Sequence, residues 1–202
     1  HHGEGIDGKI DLDRIADVVR AQNPHIVCLQ EVDRNLPRTN HMDMPELLSE
    51  KLGMEVVFEP NYKFDGGDYG NAILTNLPVT KVENMALPNP ISAEPRGCLL
   101  AALEWQGRKI MMMNTHLGLN GQERLAQAEA IQAKLGNDPV ILAGDMNEHI
   151  TAPGMQVLTP KLRDTFEKNT GTLHATIPVQ QPVRRIDFIF VSDDWEIISF
   201  EI

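Results

Sequence analysis

The chain has 202 residues, 42% hydrophobic and 23% charged, which is ordinary globular composition and excludes a wholly disordered chain. Lys and Arg number 18 against 29 Asp and Glu, a formal net charge of −11 that argues against a sequence-blind grip on long nucleic acid through a basic face. No run approaches the roughly 18 apolar residues of a membrane span, so stable membrane insertion is not expected, and the length suits one domain over residues 1–202. In chain order, Asp11 to Gln22 reads as a helix because Leu12, Ile15, Ala16 and Val19 share one face, and Asn23-Pro24 ends it. His25 to Leu29 is a short β-branched strand. Pro45 to Leu52 suits a second helix closed by Gly53. Met54 to Phe58 and Asn71 to Thr75 read as strands, and Cys98 to Trp105 with Lys109 to Asn114 flank the hairpin signal Gln106-Gly107. A helix follows over Gln122 to Leu135, then strands at Pro139 to Ala143 and Ile186 to Val191. Trp195 to Phe200 reads as a hairpin mate for the last of these. Strands outnumber helices and hairpins recur, which predicts stacked mixed sheets with helices outside. Cys28 and Cys98 lie in apolar runs and read as buried thiols, while the consecutive Met111 to Met113 read as core filler on both faces of an inner strand.

Several apolar strands run directly into polar residues that a core does not need. Ile26 to Leu29 ends in Gln30-Glu31, Met111 to Met113 in Asn114-Thr115-His116, and Val140 to Ala143 in Gly144-Asp145-Met146-Asn147, while Ile186-Asp187-Phe188 puts a carboxylate at a strand mouth. Any one of these could be a turn or cap. Together, if the strand ends converge, they gather Glu31, Asp145 and Asp187 with Asn114, Asn147 and His116. Three carboxylates in one cleft repel one another unless protons or a cation compensate. Oxygen donors without cysteine point to Mg²⁺ or Mn²⁺, with Ca²⁺ as a further candidate. Arg96, ahead of a strand, and Asn71, at a strand start, are candidate substrate contacts; each also suits a structural role. His25, His41, His149 and His174 read as surface histidines.

The motifs LQEVD (Leu29–Asp33), YGNAILT (Tyr69–Thr75), NTHLG (Asn114–Gly118), GDMNE (Gly144–Glu148) and RRIDFIFVS (Arg184–Ser192) stand in an order that resembles the endonuclease/exonuclease/phosphatase (DNase I-like) superfamily. The stretch His1–Ala16 also resembles the segment after that family's first strand, so His1-His2 reads as native sequence and not as a tag. The resemblance implies a four-layer α/β/β/α sandwich of two mixed, mostly antiparallel sheets with outer helices. It implies a metal-dependent site that cleaves a phosphodiester or phosphomonoester by water attack. Glu31 matches the family's metal-binding glutamate. Asp145 and Asn147 match its GDxN pair, serving catalysis and, with Glu31, the metal. His116 matches the histidine that stabilises phosphoryl oxygens, and Asp187 the aspartate that orients a second histidine. Asn71, Asn114 and Arg96 are placed at the substrate. The family's asparagine at the end of its first strand and its C-terminal Ser-Asp-His have no counterpart in this sequence. The fold is therefore expected to lack terminal strands, and the chain as it stands to be nearly inactive.

A phosphoester is the expected partner, as a small molecule or as nucleic acid. A nuclease acting on DNA or RNA is the alternative, disfavoured by the acidic charge and an aromatic content of 5%. A non-catalytic scaffold or binding member is a second alternative, disfavoured by the intact set Glu31, His116, Asp145, Asn147 and Asp187. The compartment is open: cytoplasmic, or secreted or periplasmic after loss of a signal.

Overall fold

A computed structural model describes residues 2–202, so His1 lies outside the described residues. Helix α1 (Leu12–Gln22) starts where the Asp11 carboxylate accepts from the Arg14 amide, and stops at Asn23 in a left-handed conformation. Helix α2 (Met44–Leu52) repeats the device, with Asp43 capping Glu46 N and Gly53 closing it. Between them runs β1 (Ile26–Arg34). It pairs antiparallel with β3 (Gly67–Thr75), which pairs on its other side with β2 (Glu55–Phe64), giving a three-stranded sheet. The second sheet has six strands in the order β4-β5-β6-β7-β9-β8. Its members are β4 (Val79–Ala86), β5 (Gly97–Trp105), β6 (Arg108–His116), β7 (Val140–Asp145), β8 (Arg163–Asp164) and β9 (Asp187–Val191). Only β6 and β7 pair in parallel, and helix α3 (Gly121–Lys134) makes the crossover between them. The short α4 (Pro153–Leu158) packs beside α3.

Strand alternation sorts the apolar residues into three cores, and these define four layers. Ala72 and Leu74 of β3 face Leu12, Met44 and Leu48 of α1 and α2. Ile73 between them points the other way, meeting Leu99, Ala101, Leu103 and Met112 in the space between the sheets. Leu100, Met113, Leu142 and Phe190 face Ala128, Ile131, Met155 and Leu158 of α3 and α4. Met112 and Met113 thus fill cores on opposite faces of β6. Cys98 is a buried free thiol and Cys28 a half-buried one.

Three elements escape the sequence pattern, β4, α4 and the two-residue β8, and one predicted element is absent. β4 has mostly half-exposed residues at a sheet edge and shows no apolar run; α4 is six residues long and has no side-chain cap. Trp195 to Phe200 is not a strand. β7 occupies one flank of β9, and β8 takes Phe190 and Val191 on the other, where a hairpin mate would have to begin; within the segment only Phe200 forms an isolated bridge, to Asn169. Among the described residues no helix is long and apolar enough to cross a membrane.

Candidate active site

The strand ends that the sequence marks as polar meet at one edge of the sandwich. β6 and β7 are in parallel register, which sets His116 beside Asp145, and the antiparallel register of β7 and β9 sets Asp145 beside Asp187. Gly144 permits the approach of β7 to β6, because a Cβ there would stand 1.9 Å from the Thr115 carbonyl oxygen. Glu31 comes across from the other sheet. It lies in a β-bulge between Leu29 and Val32, with φ of 57°, so the strand turns its carboxylate toward His116. Glu31 Oε1 is 4.0 Å from His116 Nδ1, and Asp145 Oδ2 is 3.7 Å from His116 Nε2. Glu31, Asp145 and Asp187 line one cavity of about 670 Å³ together with Gln30, His2 and the apolar Ile6, Ile177 and Val179.

His116 is the hub. It is buried, and Arg96 Nη1 stands 3.0 Å from its Nδ1. A guanidinium can only donate, so Nδ1 accepts and the single ring proton belongs on Nε2. On that side Asn147 Nδ2 is 3.0 Å away; it too is a donor, satisfied by the Leu117 carbonyl at 2.9 Å, and makes no hydrogen bond to Nε2–H. Burial first, and the Arg96 charge second, push the imidazole down to about 4, against the opposing pull of Glu31. Asp145 moves the other way. Burial, with the charges of Asp187 and Glu31, raises it to about 6, although the Asn147 backbone amide donating to Oδ1 at 2.8 Å opposes the rise. Asn147 itself sits at φ of 51°.

Arg96 is held from several directions. Glu94 Oε1 lies 2.8 Å from its Nη1, the nitrogen that also faces His116, and the Arg96 charge acts on Tyr69. The Tyr69 phenol is pushed above its ordinary range, mainly by burial and then by Glu31 and Glu94. Two residues after Glu31, the fully buried Asp33 accepts from Nε and Nη2 of Arg38, each at 2.7 Å, and that guanidinium lies 5.2 Å over the Tyr69 ring. Tyr69, Glu94, Asp33 and Arg38 were not singled out from sequence as site residues. Asp33 and Tyr69 lie inside the LQEVD and YGNAILT motifs, which is the signal that could have found them.

Asn71 and Asn114 do not line the cavity that holds Glu31, Asp145 and Asp187. Both are buried between the sheets. Asn71 Nδ2 donates to the Gly97 and Asn114 carbonyls at 3.1 and 3.4 Å. Asn114 Nδ2 donates to the Leu29 and Ala72 carbonyls at 2.9 and 2.8 Å, and its Oδ1 accepts from Gln30 at 2.6 Å. Their amide groups tie one sheet to the other. His25, His41, His149 and His174 are all exposed.

The donor set suits a hard cation: carboxylate and amide oxygens around a cavity, with Asp145 destabilised as an anion by its acidic neighbours. Among the described residues no three acidic, histidine or cysteine groups form a closed metal cage. A site of few protein ligands and several waters fits that arrangement, as Mg²⁺ commonly takes.

The model of the endonuclease/exonuclease/phosphatase family matches residues 4–202. The uncharacterized protein YbhP of Escherichia coli strain K12 is 31% identical over 199 residues, covering 90% of this chain and 77% of YbhP. Among solved structures, an endonuclease/exonuclease/phosphatase from Beutenbergia cavernae superposes with a TM-score of 0.79 at 23% identity. That match covers 96% of this chain, which spans 62% of the Beutenbergia structure. The mannosyl-6-phosphatase Bt3783 of Bacteroides thetaiotaomicron gives 0.75 at 21% identity, covering 90% of this chain and 76% of its own. At these identities the structures establish the shared fold, and with the family match over nearly all its length the chain belongs to the endonuclease/exonuclease/phosphatase family.

Proposed function

We propose that the protein is a metal-dependent phosphoesterase that cleaves a phosphodiester or phosphomonoester by attack of water. The observation that carries this reading is the convergence of Glu31, Asp145 and Asp187 on one cavity, with His116 within 4.0 Å of two of these carboxylates and donors on Arg96 and Asn147 on either side of its ring. Acidic groups there suit a cation and an activated water; the donors suit the oxygens of a phosphate. Glu31, Asp145 and Asn147 would hold a divalent ion, Mg²⁺ or Mn²⁺, which when bound polarises phosphate and lowers the pKa of a coordinated water.

The chain's own residues account for the remaining work. Asp145, raised to about 6 by burial and its acidic neighbours when no metal is bound, is the carboxylate placed to orient or deprotonate the attacking water. The Asn147 amide fixes Oδ1 and leaves Oδ2 for the water. His116 stays neutral and offers Nε2–H to a phosphoryl oxygen; the Asn147 side chain offers a second donor from the same side. Arg96 supplies fixed positive charge behind the ring, and Asp187 orients groups on the β9 side of the cavity.

The test is turnover of p-nitrophenyl phosphate and bis(p-nitrophenyl) phosphate with Mg²⁺ or Mn²⁺, by this chain and by one extended at both ends with the family's terminal segments, the variants being made in the faster of the two. Turnover is expected to vanish in EDTA. Asp145→Asn is expected to lose roughly 10²–10⁴-fold, and His116→Ala roughly 10²–10³-fold. Full activity in EDTA, or wild-type rates in both variants, would overturn the mechanism.

A further inference from the structure

The cavity that holds Glu31, Asp145 and Asp187 is also lined by three aliphatic side chains, Ile6, Ile177 and Val179. Ile6 is 76% exposed and Val179 68%, so neither is spent on a core. A lone exposed aliphatic residue is ordinary, but several gathered around a polar concavity mark a ligand groove. Ile6 and Val179 come from loops far apart in sequence, and each loop is tied by its own backbone. In the first, Glu4 bridges Ile10 and the Gly5 amide donates to the Lys9 carbonyl at 2.9 Å. Arg14 bonds the same carbonyl at 3.1 Å and pairs with Asp7 at 3.0 Å. In the second, Ile177 bridges Arg184, and the Val183 amide donates to the Ile177 carbonyl at 2.8 Å. These bonds hold two aliphatic side chains in water beside the carboxylates, an arrangement that covering them with an apolar group would relieve.

The rest of the lining narrows what fits there. Among the described residues that form it there is no Lys or Arg, so a second phosphate or a carboxylate on the substrate finds no countercharge. There is no Phe, Tyr or Trp, so a base finds no ring to stack on and a quaternary ammonium finds no aromatic cage. Few polar groups are left for a polyol. The Gln30 side-chain nitrogen donates to Asn114 at 2.6 Å, His2 faces Glu4 at 3.6 Å, and Glu31, Asp145 and Asp187 serve the reacting phosphate end. The volume of about 670 Å³ falls within the roughly 300–1,000 Å³ of small-ligand sites, enough for one phosphoryl group with a short organic tail. A net charge of −11 repels the anionic surface of a bilayer. We propose that Ile6, Ile177 and Val179 seat the ester group of the substrate, and that the substrate is a soluble phosphoester whose organic part is a short, uncharged alkyl chain.

The proposal rests on the phosphoester reading of the same cavity, and the experiment separates the two. Ethyl, butyl and hexyl phosphate, whose leaving oxygens are chemically alike, are offered with Mg²⁺ as monoesters and as methyl diesters. Glucitol 6-phosphate, with the same carbon chain as hexyl phosphate but hydroxylated, stands beside them. Along the alkyl series kcat/KM is expected to rise about two- to fourfold per added methylene, the gain for partial to full burial of a CH₂. Hexyl phosphate is expected to exceed glucitol 6-phosphate by roughly tenfold or more. Ile6→Ser and Val179→Ser, at exposed positions that do not threaten folding, are each expected to cut the gain per methylene to about 1.5-fold or less. Val18→Ser, also exposed but on helix α1 and away from the cavity, is expected to leave it unchanged. In parallel, hexylphosphonate and methylphosphonate, which have no ester to hydrolyse, are titrated into the protein with and without Mg²⁺ while backbone amide signals are followed by NMR. Hexylphosphonate is expected to shift the amides of Ile6, Ile177 and Val179 further than methylphosphonate does. If bis(p-nitrophenyl) phosphate is turned over but the alkyl series is flat, or glucitol 6-phosphate or phosphocholine is preferred to hexyl phosphate, the apolar seat is overturned and the phosphoesterase reading survives. If no phosphoester is cleaved yet hexylphosphonate shifts these amides, the seat stands and the phosphoesterase reading falls. Hexylphosphonate that shifts none of the three overturns the seat. Cleavage of phosphatidic acid in phosphatidylcholine vesicles, with none of hexyl phosphate, overturns the assignment to a soluble ester. A wild-type gain per methylene in both serine variants overturns the assignment to Ile6 and Val179.

Discussion

Glu31 and Asn147 share an unusual backbone: φ is 57° at one and 51° at the other, a region non-glycine residues occupy sparingly. Such strain persists only where surrounding structure enforces it, and it gathers at functional sites. The bulge in β1 and the Asp145 bond to the Asn147 amide enforce it here. The site is costly to folding in a second way, through its protons. Asp145 holds its proton more tightly folded, at about 6, than at its ordinary 3.8, so its contribution to stability is full below 3.8 and lost as pH rises through about 6. His116 runs the other way, at about 4 against 6.5: its contribution is full above 6.5 and lost as pH falls through about 4. Between about pH 4 and 6 the two trends oppose each other. In EDTA, Asp145→Asn is therefore expected to melt higher than wild type at pH 8 and to converge with it below pH 4. His116→Gln is expected to unmask the Asp145 trend, losing stability as pH rises from 4 to 6. Thermal melts across pH decide; an Asp145→Asn variant no more stable than wild type at pH 8 removes the argument. The carboxylates and His116 were legible as candidates because each ends an apolar run. The tautomer of His116 was not. It depends on Arg96, 20 residues away in sequence, which reaches the ring only through the β5–β6 register set by the turn at Gln106-Gly107.

At the scale of elements, the two sheets are joined near the cleft by amides as well as by apolar packing. Asn114 on β6 bonds two carbonyls and a glutamine of the other sheet, and Asn71 on β3 bonds two carbonyls in return. Removing Asn114 leaves buried carbonyls and the Gln30 amide without partners. Asn114→Ala is expected to cost about 2–4 kcal/mol, which for this size is roughly 5–15 °C in Tm. Asn71→Ala, whose contacts are longer, is expected to cost about 1–2 kcal/mol. Melting or urea titration measures both, and an Asn114→Ala variant as stable as wild type would refute the seam. In sequence a polar residue at a strand end signals a cleft, and between two stacked sheets the same residue type also serves as a tie. Helices α1, α2 and α3 and the central strands were legible because their apolar spacing and caps agree. The mate predicted at Trp195 to Phe200 failed because an alternating pattern says nothing about whether a neighbouring strand edge is free.

Over the whole molecule, a net charge of −11 meets a cavity lined by Glu31, Asp145 and Asp187. Self-repulsion of this kind opposes compaction, and any cation relieves part of it. Ordinary salt acts through screening, with a Debye length of about 10 Å at 0.1 M, and does so at every exposed carboxylate alike. A specific divalent site acts differently: it stabilises by mass action, with a gain that rises with the logarithm of free metal once the site is filled. The two effects separate at matched ionic strength. Mg²⁺ is expected to raise Tm above the value in NaCl of equal ionic strength, and the excess is expected to grow with Mg²⁺ concentration. Glu31→Gln keeps the shape of the side chain and removes one anionic ligand, so the response to NaCl should remain while the Mg²⁺ excess falls away. Because removing a carboxylate also lessens repulsion, the variant is expected to start from an equal or higher Tm without metal, which makes loss of the Mg²⁺ increment distinguishable from damage to the fold. Calorimetric titration of the same pair gives the affinity directly. An undiminished Mg²⁺ increment in Glu31→Gln would mean that the ion binds away from this cavity, and the three carboxylates would then need protons, not metal, to stand together.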